Sequence, residues 1–170
     1  MTLWEAIRAR RSVRAYQDRD IEPKKLEAVL EAANLAPSAG NLQAYEIHLI
    51  RDAKTKRALA AASLDQQFVA QAPVVLIFCA HPSRSAKYGS RGAQLYSVQD
   101  ATIAAAYAQL AATAEGLATC WVGAFDDEAV IRAAQLPAGQ RPVAILPLGY
   151  PAEQPAPTPR RALADLVHRH

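Results

Sequence analysis

Leu26, Val29, Leu30 and Ala33 recur at the three-and-four spacing of an amphipathic helix, whereas Val74 to Cys79 is an unbroken apolar run too short for one. Changes of period of this kind divide the chain into elements. Thr2 and Glu5 form a capping box ahead of Leu3, Trp4 and Ile7, so a first helix is predicted to end at Ala9 or Arg10. Pro23 in a first-turn position opens a second helix, which Pro37 closes. Tyr45, Ile47 and Leu49 alternate with Glu46 and His48, which predicts a strand over 45–50 with one wetter face. Asp52 caps a helix through Leu59, and Val74–Cys79 reads as a central strand covered on both faces. Val98–Glu115 is the longest predicted helix, with Gly116 ending it and small residues nearly all round. Thr119–Val122 and Val143–Leu148 are predicted strands, with a short helix between them capped by Asp126 or Asp127. A terminal helix is expected over Arg161–His168.

Strands flanked by helices, too few and too irregular for repeated βαβ units, predict an α+β fold. The 170 residues suit one domain spanning 1–170, and four prolines between Tyr150 and Pro159 mark that stretch as an extended arm. Half the residues are hydrophobic but only 6% are aromatic, and alanine fills the gap, so close helix packing is expected. No run approaches a membrane span, and the first 15 residues are too charged for a secretory signal, which predicts a cytoplasmic location. Cys79 and Cys120 each sit in an apolar run, the setting of reduced, buried thiols.

Charge is concentrated. Arg8, Arg10, Arg11 and Arg14 stand within seven residues around Ser12, and without them the chain is close to neutral. Guanidinium forks beside a hydroxyl match a phosphorylated ligand, although arginines also simply complement the end of a helix dipole. A nucleic-acid binder would spread its cations along a face or groove, which disfavours a polyanion partner. Neither GxGxxG nor GxxxxGK[ST] occurs, so any phosphate would be held mainly by side chains. Protein-supplied catalysis is hard to find. The four histidines share no ligand spacing, no metal site is predicted, and Ser38 lacks a GxSxG elbow. A bound cofactor would therefore bring the reactivity.

Further segments join the arginines as candidates. Pro37–Gln43 is a loop of small residues and amides, Trp121–Phe125 leaves a strand through Gly123, and Thr158–Arg161 follows the arm. Each also has a plain reading, as an ordinary turn, a buried edge and a solvated tail. In chain order the pieces RRSVR, APSAGNLQ, YGSRG with YSVQD, GLATCWVGAF and LPLGYPAEQPAPTPRR resemble the nitroreductase family of flavin-dependent oxidoreductases, in particular its short members. The resemblance implies a central, mostly antiparallel sheet flanked by helices, in an intertwined homodimer with FMN at the subunit interface, two sites per dimer, and with 150–170 as a C-terminal arm packing on the partner subunit. By position, Arg10, Arg11 and Ser12 would hold the phosphate and ribityl chain and Arg14 the pyrimidine edge of the flavin. Pro37, Ser38, Ala39, Gly40, Asn41 and Gln43 would reach the same flavin from the other subunit. Val122, Gly123 and Ala124 would run along the ring, and Arg160 with Arg161 would close on the phosphate.

The resemblance further implies hydride transfer from NADH or NADPH through flavin to an acceptor such as a nitroaromatic or quinone, in a ping-pong cycle. No side chain is then the acid or base. Ala118 stands where the family commonly has glycine, and the second half has little insertion, so it says little about substrate. Two rivals stand beside this reading. One is a specialised dehydrogenase or dehalogenase of the same fold; the other is a non-enzymatic module that binds a phosphate ligand or nucleic acid.

Overall fold

A computed structural model describes residues 1–170. Helix α1 (Leu3–Ala9) starts at the predicted capping box, with Glu5 and Thr2 bonded reciprocally. Helix α2 (Pro23–Asn34) has Pro23 in its first turn and ends three residues before Pro37. Strand β1 (Tyr45–Ile50) is followed by α3 (Ala53–Ala62), where Asp52 accepts from the Thr55 N–H, and by the short α4 (Phe68–Gln71). After β2 (Val74–Ala80) the chain makes irregular helical turns over 82–96, including α5 (Gly89–Arg91), and enters α6 (Ser97–Ala114). Strand β3 (Ala118–Thr119), α7 (Asp127–Ala134, capped by Asp126) and β4 (Arg141–Gly149) complete the order. Gly116, at φ +74°, provides the left-handed residue that stops α6.

The four strands lie in the order β1-β2-β4-β3, every ladder antiparallel. Strand β2 is central and buried throughout, which explains its continuous apolar run: its residues serve two cores alternately. Val74, Leu76 and Phe78 face α2 and the alanines of α6, whereas Val75, Ile77 and Cys79 face Leu59 of α3, Val69 and Val130 of α7. On α6, Ala101, Ala104, Ala105, Ala108 and Ala112 are buried against the sheet and α2, as the small-residue pattern predicts.

Some expectations need correction. The predicted strand Thr119–Val122 is paired only at Ala118–Thr119, and Val122 returns as an isolated bridge to Ile145, because the backbone leaves the sheet edge in between. The terminal helix is a single turn, Leu163–Asp165, since residues 156–170 have no buried surface on this chain to stabilise a longer one. Leu49 on the edge strand β1 is exposed despite its apolar alternation. The start of the proline arm is not a free linker. Gln17 N–H donates to the Tyr150 carbonyl at 2.9 Å, and Ala152 N–H to that of Ala15 at 2.9 Å. Tyr150 is itself clamped. Its phenol donates to Glu22, and Arg19 lies 3.8 Å above its ring.

Candidate functional site

The arginine segment is fixed by the edge of the sheet. Val13 N–H donates to the Thr119 carbonyl at 3.1 Å, and Ser12 and Thr119 form a parallel bridge. Three residues on, Val122 and Ile145 exchange backbone hydrogen bonds at 3.0 and 2.9 Å, after which Gly123 and Ala124 emerge exposed. RRSVR and the Trp121–Ala124 exit thus share one wall, although neither lies near the other in sequence. Tyr16 locks the end of the segment by donating to the Val13 carbonyl at 2.8 Å, and burial pushes its phenol pKa up.

None of the four clustered arginines enters an ion pair; those of the structure use Arg19, Arg51, His81, Arg84 and Arg141. Arg11 donates to the carbonyls of Arg8 and Arg10, at 2.5 and 2.9 Å, and the Arg14 guanidinium lies 5.9 Å from the Phe68 ring. The carboxylate of Glu153 comes closest to countering them, but it accepts from the backbone N–H of Arg14 instead of a guanidinium. Together with Arg10, Arg11 and Thr113 it lines a cleft of about 290 Å³. Unneutralised guanidinium groups beside a hydroxyl are suited to an anion with several acceptor oxygens.

Cys120 lies against this wall. Burial raises its thiol pKa, opposed in part by Arg14, by a hydrogen bond with Ser12 and by Arg10. Burial lifts Cys79 to about 12. Both cysteines are free and buried, as their apolar runs predicted.

The Pro37–Gln43 loop is built by a residue that sequence reasoning missed. Asp100, 2% exposed in the first turn of α6, accepts from the Ala39 N–H at 3.0 Å and from the Ala44 N–H at 3.2 Å, so one carboxylate pins both ends of the loop. A lone acid opening an alanine run was the available signal. Ser38 Oγ accepts from the Gln43 N–H at 3.0 Å, and Asn41 Oδ1 from Gln43 Nε2 at 3.0 Å. Gly40, Asn41 and Gln43 all take positive φ. Tyr88 covers Gly40 so closely that a Cβ there would stand 2.1 Å from the phenol oxygen.

This loop and the arginine wall sit at opposite ends of α6. A cleft beside Pro37, Ser38 and Ala39 is lined by Gln99, Asp100 and Ile103, whereas the arginine cleft reaches Thr113 and Leu117. At 1.5 Å per residue, Asp100 and Thr113 are about 20 Å apart along the helix. Arg160 and Arg161 are not brought to either wall within the chain. They are exposed, with Arg160 donating to Thr158 and Arg161 to the Asp165 carbonyl.

A sequence model of the Nitroreductase family matches residues 7–68 and 61–150. The chain belongs to that family. An NADH dehydrogenase of Thermus thermophilus is 33% identical to this nitroreductase-family chain, over 93% of the chain and 91% of the relative. An oxygen-insensitive NADPH nitroreductase of Salmonella typhimurium is 30% identical, over 98% and 72%. Among solved structures, the NADPH:FMN oxidoreductase of Vibrio harveyi complexed with NAD+ superposes with a TM-score of 0.90 at 26% identity, covering 98% of this chain and 76% of that one. The α+β nitroreductase fold is therefore established for this sequence.

Proposed function

We propose that this nitroreductase-family chain is an NAD(P)H-dependent FMN oxidoreductase that reduces an acceptor such as a nitroaromatic or quinone by a ping-pong cycle. The observation that carries the reading is the unpaired arginine wall: Arg10, Arg11 and Arg14 meet no carboxylate through their guanidinium groups, and Ser12 adds a hydroxyl. That donor set fits a phosphate in a chain without a glycine-rich phosphate loop. The names of the relatives, which specify FMN, NADPH and nitro reduction, point the same way. When bound, FMN supplies the capacity to accept a hydride and pass two electrons on.

The residues of the chain then bind and orient. Arg10, Arg11 and Ser12 hold the phosphate and ribityl chain, and Arg14 favours negative charge at the pyrimidine edge. Gly123 and Ala124, exposed at the strand exit, let backbone approach the ring beside Val122. Pro37, Ser38, Ala39, Gly40, Asn41 and Gln43 form the facing wall.

The separation of about 20 Å along α6 supports a homodimer in which that facing wall belongs to the other subunit. In the same reading 1–170 is a single domain whose 150–170 arm packs on the partner, bringing Arg160 and Arg161 to the phosphate. The wholly exposed 156–170 segment, with Leu163, Leu166 and Val167 uncovered, supports this. No helix of the chain is long and apolar enough to cross a membrane, and with two free thiols this supports a cytoplasmic location.

The purified protein should be yellow, release FMN on denaturation, and give parallel double-reciprocal lines when NADH or NADPH is varied against acceptor. A colourless protein that takes up no added FMN overturns the reading. A flavin-loaded protein that neither donor reduces favours the specialised dehydrogenase or dehalogenase.

A further inference from the structure

The chain has five lysines, Lys24, Lys25, Lys54, Lys56 and Lys87, and the fold gives one of them a setting of its own. Lys24, Lys54 and Lys87 are exposed. Lys25 is half-buried, but its ammonium donates to the Glu115 carbonyl at 2.7 Å and lies 5.1 Å from the Tyr150 ring, contacts that favour the charged form. Lys56, on α3, is also half-buried and enters no ion pair. Its Nζ donates to the Ala72 carbonyl at 2.6 Å. Burial holds this ammonium below the ordinary lysine range; Asp20 and Asp52 oppose the shift, and Arg51 reinforces it. Both acids are engaged elsewhere. Asp52 accepts from the Thr55 N–H and hydroxyl at 2.7 and 2.8 Å, and Asp20 pairs with Arg51 at 3.2 Å.

Lys56 lines a cleft of about 560 Å³ in which, apart from Pro73, every lining residue is polar or charged. The cleft shares no residue with those at the arginine wall and the Ser38 loop. Three cations, Arg19, Arg51 and Lys56, face two acids, Asp18 and Asp20. Arg51 gives only Nη1 to Asp20, and Arg19 only Nη2 to Glu22, so both guanidinium groups keep spare donors. An amine with a weakened hold on its proton beside such groups matches a reagent that is anionic at one end and electrophilic at the other.

We propose that Lys56 is the preferred acylation site of this chain, with a small acyl phosphate as the acyl donor and Arg51 and Arg19 holding its phosphate. The uncharged Nζ attacks the acyl carbon and forms the N–C bond. The C–O bond to the phosphate breaks, inorganic phosphate leaves with the bonding pair, and the proton of the amine passes to solvent. The amide so formed keeps one N–H, enough to remain bonded to the Ala72 carbonyl, while the cleft loses one positive charge.

Acetyl phosphate and the uncharged acyl donor N-acetoxysuccinimide, each added to the purified full-length protein near neutral pH, test the site. Tandem mass spectrometry of peptides gives the initial rate at every lysine. Lys56 is expected to take acetyl from acetyl phosphate about tenfold faster than Lys54, its exposed neighbour on the same helix. In the urea-unfolded chain that preference should vanish. Equal rates in the native protein, or a preference that survives unfolding, overturn the proposal.

The variant Arg51→Gln tests the anion site. At Lys56 the rate with acetyl phosphate relative to N-acetoxysuccinimide should fall about tenfold, and at Lys54 it should keep its native value. Taking the ratio cancels any change in the basicity of Lys56. Inorganic phosphate added to the native protein should slow acetyl phosphate at Lys56 alone. A ratio at Lys56 that survives Arg51→Gln, or phosphate inhibition equal at all lysines, overturns the proposal.

Discussion

Ser12 and Thr119, far apart in the chain, run side by side as a parallel bridge, and the Val13 N–H donates to the Thr119 carbonyl at 3.1 Å. Through this contact a charged helix end becomes one wall with a strand exit. Arg10 and Arg11 stand before the bridge on one strand of backbone, while Gly123 and Ala124 follow it on the other.

The arginine wall makes a prediction that separates binding from folding. Arg10 has no ion pair to lose, and Arg11 makes only local bonds to backbone carbonyls. The double change Arg10→Gln, Arg11→Gln should weaken FMN about 100-fold, since two charge-assisted contacts are removed. The flavin-free protein should lose no more than about 0.5 kcal/mol. Fluorescence titration with FMN and urea unfolding of the same variant check the two halves.

Asp100 should behave in the opposite way, as a residue of the scaffold. Replacing it with Ala strands two backbone donors, the half-buried Ala39 N–H and the buried Ala44 N–H, and should cost about 3 kcal/mol in urea unfolding. Asp100→Asn keeps one acceptor oxygen and should cost about half as much. Equal losses for the two variants would falsify the double anchorage.

Gly40 is constrained twice, by φ of +56° and by the Tyr88 hydroxyl 2.1 Å from where a Cβ would stand. Gly40→Ala should destabilise by about 1 to 2 kcal/mol, chiefly the cost of a left-handed alanine, because the exposed Tyr88 phenol can turn aside. In a Tyr88→Ala background the same change should cost nearly as much, because the backbone conformation and not the phenol sets the penalty. Denaturant midpoints of the single and double variants, compared as a cycle, give the split.

Acid should loosen the root of the arm. The Tyr150 phenol donating to Glu22, then its own backbone N–H and the Arg19 side chain, holds the Glu22 carboxyl at about 2 against an ordinary 4.5. A depressed folded pKa means that the contribution is complete above about pH 4.5 and is lost as pH falls through about 2. The gap in thermal midpoint between the native protein and Glu22→Gln should therefore be constant near neutrality and close across that window.

Neither thiol should react in the folded protein. Burial raises both, Cys79 to about 12, so few thiolates form at pH 8 and reagent has little access. Mass spectrometry after iodoacetamide should find no adduct on the native chain and two on the urea-unfolded one.

Most elements were legible because their signals are local. The capping box at Thr2 and Glu5, Pro23 in a first turn, Asp52 and Asp126 as caps, and the two-faced run of β2 each act within a few residues, and each set a boundary that the fold keeps. Expectations failed where stability depends on neighbours. The sheet edge is a two-residue ladder, Ala118–Thr119, that takes in only Thr119 of the strand expected after α6, and the terminal helix, with nothing buried beneath it on this chain, shrinks to one turn.

The same division applies to the site. Residue types and their order along the chain determined the family resemblance and the candidate residues, because arginine density, small loop residues and the missing phosphate loops are properties of sequence alone. Only the tertiary structure could show that RRSVR lies along β3, that Asp100 pins the Ser38 loop, that Tyr88 covers Gly40, and that the two walls stand at opposite ends of α6. Those contacts join residues separated by whole elements, and their partners are chosen by how helices and strands pack, which no local pattern encodes.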